Sequence, residues 1–422
     1  MKQCSFCSAP LHHVFADLGL SPLSNALVRR TELTAAEALY PLLAYVCDRC
    51  WLVQVEQVET PAKLFGDYVY FSSYSSSWLE HMRSFADGIV ERLALKPGSS
   101  VIEVASNDGY LLKYFRRHGI QVLGIEPAAN TAQRAVADGI PTIVRFLGTH
   151  VARELAADGK TADLLIGNNV LAHVPDLRDF VAGLKILLKP TGVLTMEFPH
   201  LLKMIERNEF DTIYHEHLSY FSLGTAQRVF SECGLTLFDV DEIPTHGGSL
   251  RVYLTHSERP ASPQPSVQAL LDREVAAGLH ELSTYSSFSG RIQRVKAGLL
   301  DFLRTAKSAA RSVVGYGAPA KATTLLNYCG INCELMKYTV DRSPHKQGRY
   351  VPGVRMPIEN PSTIFATRPD YLVILAWNLA DEIEEQMAGI ESWGGRFVVP
   401  IPSLRLSARP RSRGAAGMSL QA

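Results

Sequence analysis

The sequence lacks several features that define large classes of protein. Its 422 residues contain 42 lysines and arginines against 42 aspartates and glutamates, so the formal net charge is zero. Proteins that bind nucleic acids or anionic membranes through bulk charge have a basic excess, which is missing here. No apolar run approaches the ~18–20 residues of a membrane-spanning helix, and the N-terminus, MKQCSFCSAP, has no secretory apolar stretch. These absences predict a cytoplasmic protein without nucleic-acid or membrane partners.

Cysteine is also scarce, and the seven cysteines are too few and too clustered for a disulfide framework. Four of them form two Cys-x-x-Cys pairs, Cys4/Cys7 and Cys47/Cys50. Each pair can chelate one side of an ion, and two pairs complete a tetrahedral Zn²⁺ site. We therefore predict a structural zinc, with redox or free thiols as the alternative. A site closed by four thiolates has no position for substrate, so its expected role is folding.

Apolar residues are abundant, at 46% of the chain, which supports folded cores. From about residue 80, short apolar runs alternate with helical stretches, a pattern typical of parallel β-α units in a doubly wound sheet. A hinge, RPASPQPS, precedes a long helical region over 267–308 and a second, smaller α/β sheet. The predicted parts are a zinc-binding module (1–66), a catalytic α/β domain (67–258), a C-terminal α/β domain (259–410) and a disordered tail (411–422).

The first strand of the central sheet ends in a turn of small residues, Glu103-Val-Ala-Ser-Asn-Asp-Gly109. This turn resembles the acidic-x-Gly-x-Gly-x-Gly turn of class I S-adenosylmethionine methyltransferases. Ala105 and Asn107 stand in the first two glycine places and Gly109 in the third. Small residues let the backbone approach a ligand closely, and the acid lies within reach of its donors. We expect these four residues to bind the cofactor.

The next strands favour the same cofactor. QVLGIEP ends in Glu126, about 20 residues after the turn, where an acid can accept hydrogen bonds from a ribose diol. NAD-binding folds have an acid at this place too, but this turn lacks GxGxxG. Strand four ends in Asn168 and Asn169, and the loop after it resembles the loop beside the methionine group in S-adenosylmethionine enzymes.

Titratable side chains cluster after strand five, in Tyr214-His-Glu-His217-Leu-Ser-Tyr220. A zinc protease requires H-E-x-x-H on a helix, and His215 and His217 do not have that spacing. Acid-base chemistry is the favoured interpretation, because histidine titrates near neutral pH and an adjacent carboxylate can fix its tautomer. A polar loop exposed to solvent is the alternative.

Two further segments allow more than one interpretation. Residues 68–78 are rich in aromatic and hydroxyl groups, including Tyr68, and predict either a packing seam or a lid over a ligand. The later turn Gly315-Tyr-Gly-Ala318 opens a helix and is followed by Lys321, a combination suited to an anion. A second dinucleotide cofactor or a plain tight turn are the alternatives there.

The order of these motifs along nearly the whole chain resembles the sugar C-methyltransferases that build branched deoxysugars for antibiotic glycosides. The matching segments are the two CxxC pairs, EVASNDG, GIEPA, VLAHV, YHEHLSYF, HGGSLR and VGYGAPAK. The resemblance implies three domains, S-adenosylmethionine as methyl donor, and methylation at C-3 of a TDP-4-keto-deoxysugar, often one with a 3-amino group. An NAD-dependent nucleotide-sugar oxidoreductase and a zinc-knuckle RNA-binding module are the rival functions.

The resemblance also implies residue roles in catalysis. His217 would remove the C-3 proton, which the neighbouring ketone acidifies, and Glu216 would orient His217 or contact the sugar. Tyr214, Tyr68 and His173 would donate to the oxygen of the resulting enolate. The enolate carbon would then attack the sulfonium methyl group in line.

The remaining implied site is for the nucleotide diphosphate of the substrate. The resemblance places it at the C-terminal turn, with Tyr316, Lys321, Asn378 and the His246 loop as contributors. We expect the enzyme to be a monomer or a weak oligomer.

Overall fold

The computed structural model describes residues 2–66, 72–74, 76–259 and 262–407. The predicted lid residue Tyr68 and the tail from 411 onward lie outside the described residues. The chain divides into two compact units, which are described separately. Unit 1 comprises Met1–Leu20 and Tyr40–Ser289, and unit 2 comprises Ser21–Leu39 and Gly290–Ala422.

Unit 1 begins with the predicted zinc-binding module. Two knuckle turns close through backbone hydrogen bonds, from Ser8 N to Cys4 O at 3.0 Å and from Trp51 N to Cys47 O at 2.9 Å. They lie beside a small sheet of strand order β1-β2-β3-β9. Its strands, with the one helix of this segment, are β1 (His13–Ser21), β2 (Tyr40–Val46), β3 (Val53–Val55), β9 (Ser219–Tyr220) and α1 (Pro61–Phe65). Because β9 comes from much later in the chain, the module is completed by the catalytic region.

The centre of unit 1 is a seven-stranded sheet of order β10-β11-β8-β7-β4-β5-β6. Its strands are β4 (Ser100–Val104), β5 (Gln121–Ile125), β6 (Thr142–Ile143), β7 (Ala162–Asn168), β8 (Leu188–Pro199), β10 (Leu235–Ile243) and β11 (Ser249–His256). Only β11 runs antiparallel to its two neighbours. The predicted doubly wound methyltransferase-like sheet is confirmed, and the carboxyl ends of β4, β5, β7 and β8 share one edge.

Helices cover both faces of this sheet, as continuous apolar strands require. Along β7, Leu164 and Ile166 pack into one core and Leu165 into the other. The helices of this part of the chain are α2 (Ser76–Arg92), α3 (Leu112–Arg117), α4 (Ala129–Ala137), α5 (Thr149–Ala157), α6 (Leu177–Leu187), α7 (Leu201–Glu206), α8 (Leu223–Glu232), α9 (Pro265–Ala276) and α10 (Leu282–Ser308). The Ser222 hydroxyl begins α8 by accepting the N–H of Thr225 at 3.0 Å.

The predicted helical region over 267–308 consists of two helices, α9 and α10. Helix α9 stops at Ala276, and Gly278 then adopts a φ of +76°. Glycine adopts this left-handed conformation without steric cost and so favours a helix end there.

Unit 2 contains the expected second α/β sheet, of order β14-β13-β12-β15-β16-β17, with only β17 antiparallel. Its elements are β12 (Val313–Tyr316), α11 (Ala320–Cys329), β13 (Thr339–Val340), β14 (Ile358–Glu359), α12 (Ser362–Thr367), β15 (Tyr371–Ile374), α13 (Ala380–Gln386), β16 (Arg396–Val399) and β17 (Arg405–Leu406). Segment 21–39, which the sequence placed inside the zinc module, packs here because Val28 pairs with Tyr350 and Glu37 binds Arg355 at 2.9 Å. The expected domain boundaries stay a prediction.

Candidate active site and zinc site

The four paired cysteines come together at the knuckle turns. Their sulfur atoms all lie within 4.8 Å of one another, and the Cys4–Cys50 and Cys7–Cys47 pairs are each 3.5 Å apart. A tetrahedral zinc with bonds of ~2.3 Å would hold its sulfurs about 3.8 Å apart. The donor set and its spacing therefore fit Zn²⁺, as predicted.

Hydrogen bonds favour a thiolate in this cluster. The Cys50 thiol, with the Gln54 amide, lowers the pKa of Cys4 to about 4. Burial raises the pKa of Cys47 to about 11, opposite in direction to the shift at Cys4. A bound zinc would deprotonate all four sulfurs, because only thiolates ligate it.

Helices of the central sheet hold the knuckles in place. The Arg178 side chain donates to Phe6 O at 3.0 Å, and Arg228 donates to Arg49 O at 2.8 Å. The Thr225 hydroxyl adds a bond of 3.3 Å to Cys50 O. The zinc module is thus attached to α6 and α8 through its backbone.

The turn after β4 has the backbone of a glycine-rich loop. The φ angles are +57° at Ala105, +50° at Asn107 and +74° at Gly109. All three family glycine places therefore have the left-handed conformation, although glycine occupies only the last. At Gly109 a side chain would also collide with Ile140, because an added Cβ would lie 2.9 Å from its Cγ1.

Glu126 supports this turn at the end of β5. One carboxyl oxygen accepts Asn107 N at 2.8 Å and the other accepts Ala128 N at 2.9 Å. Burial raises the pKa of Glu126. Each oxygen keeps a second lone pair for a hydroxyl donor, so Glu126 shapes the turn and remains able to bind a ribose.

Several buried acceptors point to a ligand that would supply donors. Glu103 is fully buried, and neither of its carboxyl oxygens makes a hydrogen bond of normal geometry within the described residues. Burial raises its pKa well above the usual range, against a smaller opposing effect of the Tyr110 hydroxyl. Asp108 Oδ1, Asn168 Oδ1 and Asn169 Oδ1 are also buried without a partner in the described chain. Buried polar atoms are normally paired, so this edge suits the hydroxyl and amino groups of S-adenosylmethionine, which can donate to these acceptors.

A short segment before α2 contacts the same turn. Ser72 N donates to Asn107 Oδ1 at 3.0 Å, and Ser73 N donates to Asp108 Oδ2 at 3.2 Å. This part of the predicted aromatic-hydroxyl segment therefore lies against the cofactor turn.

His217 and Tyr214 form a hydrogen-bonded pair. The Tyr214 hydroxyl lies 2.7 Å from His217 Nε2, and His217 Nδ1 lies 2.9 Å from Thr212 O. A carbonyl can only accept, so Nδ1 has the proton and Nε2 is the basic nitrogen. The His173 ring lies 4.8 Å from the His217 ring, centroid to centroid, and its Nδ1 donates to Glu216 O at 2.6 Å.

Burial keeps both imidazoles neutral. It lowers the pKa of His173 to about 4, and it lowers the pKa of His217 well below its usual range, with a further contribution from His173. Neutral imidazole is the form that can accept a proton, and the lowered pKa also makes it a weaker base.

His215 points away from this pair, although it lies between the same neighbours in sequence. Its Nε2 lies 3.3 Å from Pro41 O and its ring packs against Tyr40, both in β2. Glu216 is buried at 3% exposure. Leu218 N donates to Ala172 O at 2.7 Å, which joins this loop to the loop after β7. The predicted site thus forms from two loops held by the backbone.

His246 lies in unit 1, whereas the other predicted nucleotide contacts lie in unit 2. Its Nε2 accepts from the Asn169 amide at 3.3 Å, and its ring lies 5.5 Å from Trp78. Both His246 and Asn169 have positive φ, at +55° and +54°. His246 is therefore a neighbour of the predicted cofactor loop.

The sequence analysis missed a buried polar cluster beside His246. Glu197 accepts from Arg251 at 2.7 Å and from the Thr245 hydroxyl at 3.1 Å. Although burial raises it, the pKa of Glu197 stays below its usual value because of His81 and Arg251. Arg251 and Glu197 are directly paired across β11 and β8, a register that their distance in sequence did not reveal.

In unit 2 the turn after β12 has its own acidic partner. Asp341, at the end of β13, accepts Ala318 N at 2.8 Å, and Lys346 donates to Ala318 O at 2.9 Å. Lys321 hydrogen-bonds Asn378 and lies 4.0 Å from the centre of the Trp377 ring. The predicted pair Lys321 and Asn378 is thus brought together.

The predicted Tyr316 stands in that same turn, and its hydroxyl donates to Gln386 at 3.3 Å. The sequence analysis missed three residues around the turn, Asp341, Lys346 and Trp377. An acid after the second strand of the C-terminal sheet was the available signal for Asp341.

Comparison with known proteins decides the family. Three family models match the chain, a zinc binding domain at 4–65, a methyltransferase domain at 78–240 and a C-methyltransferase C-terminal domain at 244–402. The C-methyltransferase NovU of Streptomyces niveus is 37% identical over 406 residues, 96% of this chain and 97% of its own. The chain belongs to the C-methyltransferase family. The enzyme therefore uses S-adenosylmethionine for C-methylation, and the oxidoreductase and RNA-binding alternatives are set aside.

More distant likenesses cover only part of the enzyme. A ubiquinone biosynthesis O-methyltransferase of Rhodopseudomonas palustris is 26% identical over 25% of this chain and 41% of its own. The magnesium protoporphyrin IX methyltransferase of Synechocystis PCC 6803, solved with S-adenosylmethionine, has a TM-score of 0.33 and 15% identity, over 46% of this chain and 89% of its own. Neither contributes to the family assignment. Among the described residues, no helix has the length and apolarity needed to cross a membrane.

Proposed function

We propose that this cytoplasmic enzyme methylates C-3 of a TDP-4-keto-deoxysugar, with or without a 3-amino group. The observation that supports the proposal is the neutral His217, with its basic Nε2 held beside the Tyr214 hydroxyl. A carbon bearing hydrogen is not nucleophilic, so C-methylation needs a base, and a ketone next to that carbon makes the proton acidic enough for histidine.

In the first step the Tyr214 hydroxyl turns from His217 Nε2 to the C-4 oxygen of the sugar, which frees the one lone pair of Nε2. His217 Nε2 then takes the C-3 proton, and the electrons of the C–H bond become the enolate, whose oxygen accepts from Tyr214. The Thr212 carbonyl accepts the Nδ1–H throughout and stabilises the positive charge that forms on the ring. His173, with its Nδ1–H on Glu216 O, is held 4.8 Å from His217 as the second polar group for the sugar.

In the second step the enolate carbon forms a bond to the methyl group, whose bond to sulfur breaks with both electrons leaving on sulfur. S-adenosylmethionine supplies that methyl group when bound. Glu126 would hold its ribose, while Glu103, Asp108, Asn168 and Asn169 provide the buried acceptors at this edge. The protein's contribution here is binding, orientation and exclusion of water.

The nucleotide part of the substrate is proposed to bind the turn of unit 2. The start of α11 and the Lys321 ammonium suit a diphosphate. The Trp377 ring, already in contact with Lys321, offers an apolar face beside it. Tyr316 and Asn378 complete the proposed contacts.

Hydrogen exchange at the sugar tests the base directly. In D₂O, with S-adenosylhomocysteine in place of the donor, the enzyme should exchange the C-3 hydrogen of the keto sugar for deuterium. The change His217→Asn should abolish exchange and lower turnover by about 10²–10⁴-fold, the usual value of a positioned base. Affinity for either ligand, measured by calorimetry, should stay the same.

The exposed His150 on α5 provides the matched control, and His150→Asn should leave exchange unchanged. If His217→Asn keeps normal exchange and methylation, the base is another group and the proposed mechanism is wrong. If no TDP-4-keto sugar gains 14 Da, the increment of a methyl for a hydrogen, the proposed substrate class is wrong.

A further inference from the structure

The zinc module and the loop of His217 share one backbone ladder. Strand β3 pairs with β9, with Val53 opposite Tyr220 and Gln54 opposite Ser219. Val55 N continues this ladder by donating to Leu218 O at 3.0 Å. Residues 218–220, which this ladder holds, follow His217 directly. The position of β3 therefore determines where the loop that contains His217 ends.

The side chain of Gln54 connects the same strand to the metal ligands. It is 5% exposed, its amide N–H donates to Cys4 Sγ at 3.2 Å, and its carbonyl accepts Ser5 N at 2.8 Å. Groups that hydrogen-bond a metal ligand orient it and tune its affinity for the metal. Gln54 thus contacts the first knuckle through its side chain and the strand after His217 through its backbone.

We propose that Gln54 is a positioning residue that couples the zinc site to the placement of His217. The proposal rests on the proposed function insofar as His217 is the base. Strand β9 has only two residues and β3 only three, so each depends strongly on its neighbours for its position. Fixing Gln54 to the Cys4 sulfur at one end therefore restrains Ser219 at the other.

Other contacts hold the start and middle of the loop. His215 contacts Pro41 O, His173 donates to Glu216 O, and Leu218 N donates to Ala172 O. These bonds do not involve Gln54, so its loss should loosen the end of the loop without unfolding it. A purely structural role would instead affect zinc retention and overall stability alone.

The test uses the zinc-loaded enzyme with Gln54→Met, which keeps length but removes both hydrogen bonds of the side chain. Zinc release to a chelator should become about 10–100-fold faster, the usual effect of changing such a supporting residue. In hydrogen-deuterium exchange, the amides of residues 219–220 should exchange at least tenfold faster, while those of β7 remain unchanged. Turnover should fall without a change in KM for S-adenosylmethionine.

The matched control is Gln57→Met, because Gln57 lies three residues away, exposed, and donates only to Glu59 O. It should change none of these quantities. Gln54→Glu keeps the acceptor for Ser5 N and loses the donor to sulfur, so it should resemble Gln54→Met. Retention of normal behaviour by Gln54→Glu would overturn the proposal.

A measurement on the wild-type protein tests the proposal even if the variants do not fold. Removing zinc with a chelator should increase exchange at residues 219–220 before it affects the amides of β7. If zinc loss or Gln54→Met leaves exchange at 219–220 unchanged, the coupling does not exist. Amide exchange and zinc release are measured without substrate. They therefore test the coupling between the zinc site and the loop even if His217→Asn shows that the base is another residue.

Discussion

The two α/β sheets of this enzyme use the same device at their first turn. In unit 1, Glu126 at the end of the second strand accepts Asn107 N at 2.8 Å, and in unit 2, Asp341 accepts Ala318 N at the same distance. The surroundings differ in charge. Glu103 and Asp108 surround the first turn with acceptors, whereas Lys321 and Lys346 lie by the second. The proposed function assigns the first turn to a cationic, hydroxyl-rich ligand and the second turn to an anionic one.

The two units also differ in the interactions that stabilise each of them. Unit 1 includes the four cysteines and a sheet whose last strand is β9, next to the histidine loop. The metal-ligating cluster found among the described residues lies in unit 1, and unit 2 forms its sheet from its own strands. Metal loss should therefore affect the two units unequally.

The largest expected effect comes from Cys47→Ala. It should lose zinc and destabilise unit 1 by about 4–5 kcal/mol or more, the range for loss of a structural metal. Calorimetry with metal analysis should show the transition of unit 1 at lower temperature and that of unit 2 unchanged. Cys333→Ala, at an exposed cysteine of unit 2, is the control and should retain the metal. Equal destabilisation of both units would contradict the comparison.

The next largest effect tests whether the cofactor and the nucleotide sugar bind at different turns. Glu126→Ala should weaken S-adenosylmethionine binding by about 1.5–3 kcal/mol, because hydrogen bonds to a charged group are lost. The KM of the Glu126→Ala variant for the nucleotide sugar should remain unchanged. Lys321→Ala should do the reverse, raising that KM while calorimetry shows normal cofactor affinity. If either change weakens both ligands alike, the division of roles between the two turns is wrong.

The pH dependence of activity tests the difference between the two units further, because the histidines with lowered pKa values lie in unit 1. A lowered pKa keeps His217 in its basic form as the pH falls, so activity should persist below the usual titration range. At about pH 6, an imidazole with an ordinary pKa of ~6.5 would be about one quarter neutral. We expect kcat/KM to remain nearly constant from pH 7 to 6. A loss of about threefold over that interval would show that His217 titrates normally.

The sequence predicted the parts of the fold that local patterns determine. The alternation of apolar runs and helical stretches was sufficient to predict both sheets. The paired cysteines were sufficient to predict the zinc site. It did not reveal that β9 joins the zinc module, because a two-residue strand has no recognisable pattern. The directions of the His215 and His217 rings could not be predicted either, since only the backbone of the folded loop turns one ring to Pro41 and the other to Tyr214.

The Glu197–Arg251 pair shows the same limit at longer range. The two residues are separated by 54 positions and meet only because β11 inserts beside β8 in one register. A shift of one residue would place Arg251 on the opposite face of the sheet. Strand register across such a distance depends on packing that neither segment specifies alone.

The smallest expected effect concerns the backbone of the two turns. Ala105 has a φ of +57° and Gly317 a φ of +95°, so the first turn contains a strained alanine where the second contains glycine. An alanine in this region costs about 1–2 kcal/mol, while glycine loses up to about 1 kcal/mol through the entropy of the unfolded chain. Ala105→Gly should therefore stabilise unit 1 by at most about 2 kcal/mol. Gly317→Ala should destabilise unit 2 by a similar amount or slightly more, because its Cβ would lie 3.2 Å from that of Ala376. Opposite shifts of the two unfolding transitions in calorimetry are the expected result. Destabilisation of unit 1 by Ala105→Gly would mean that the alanine methyl group contributes more by packing than its backbone costs.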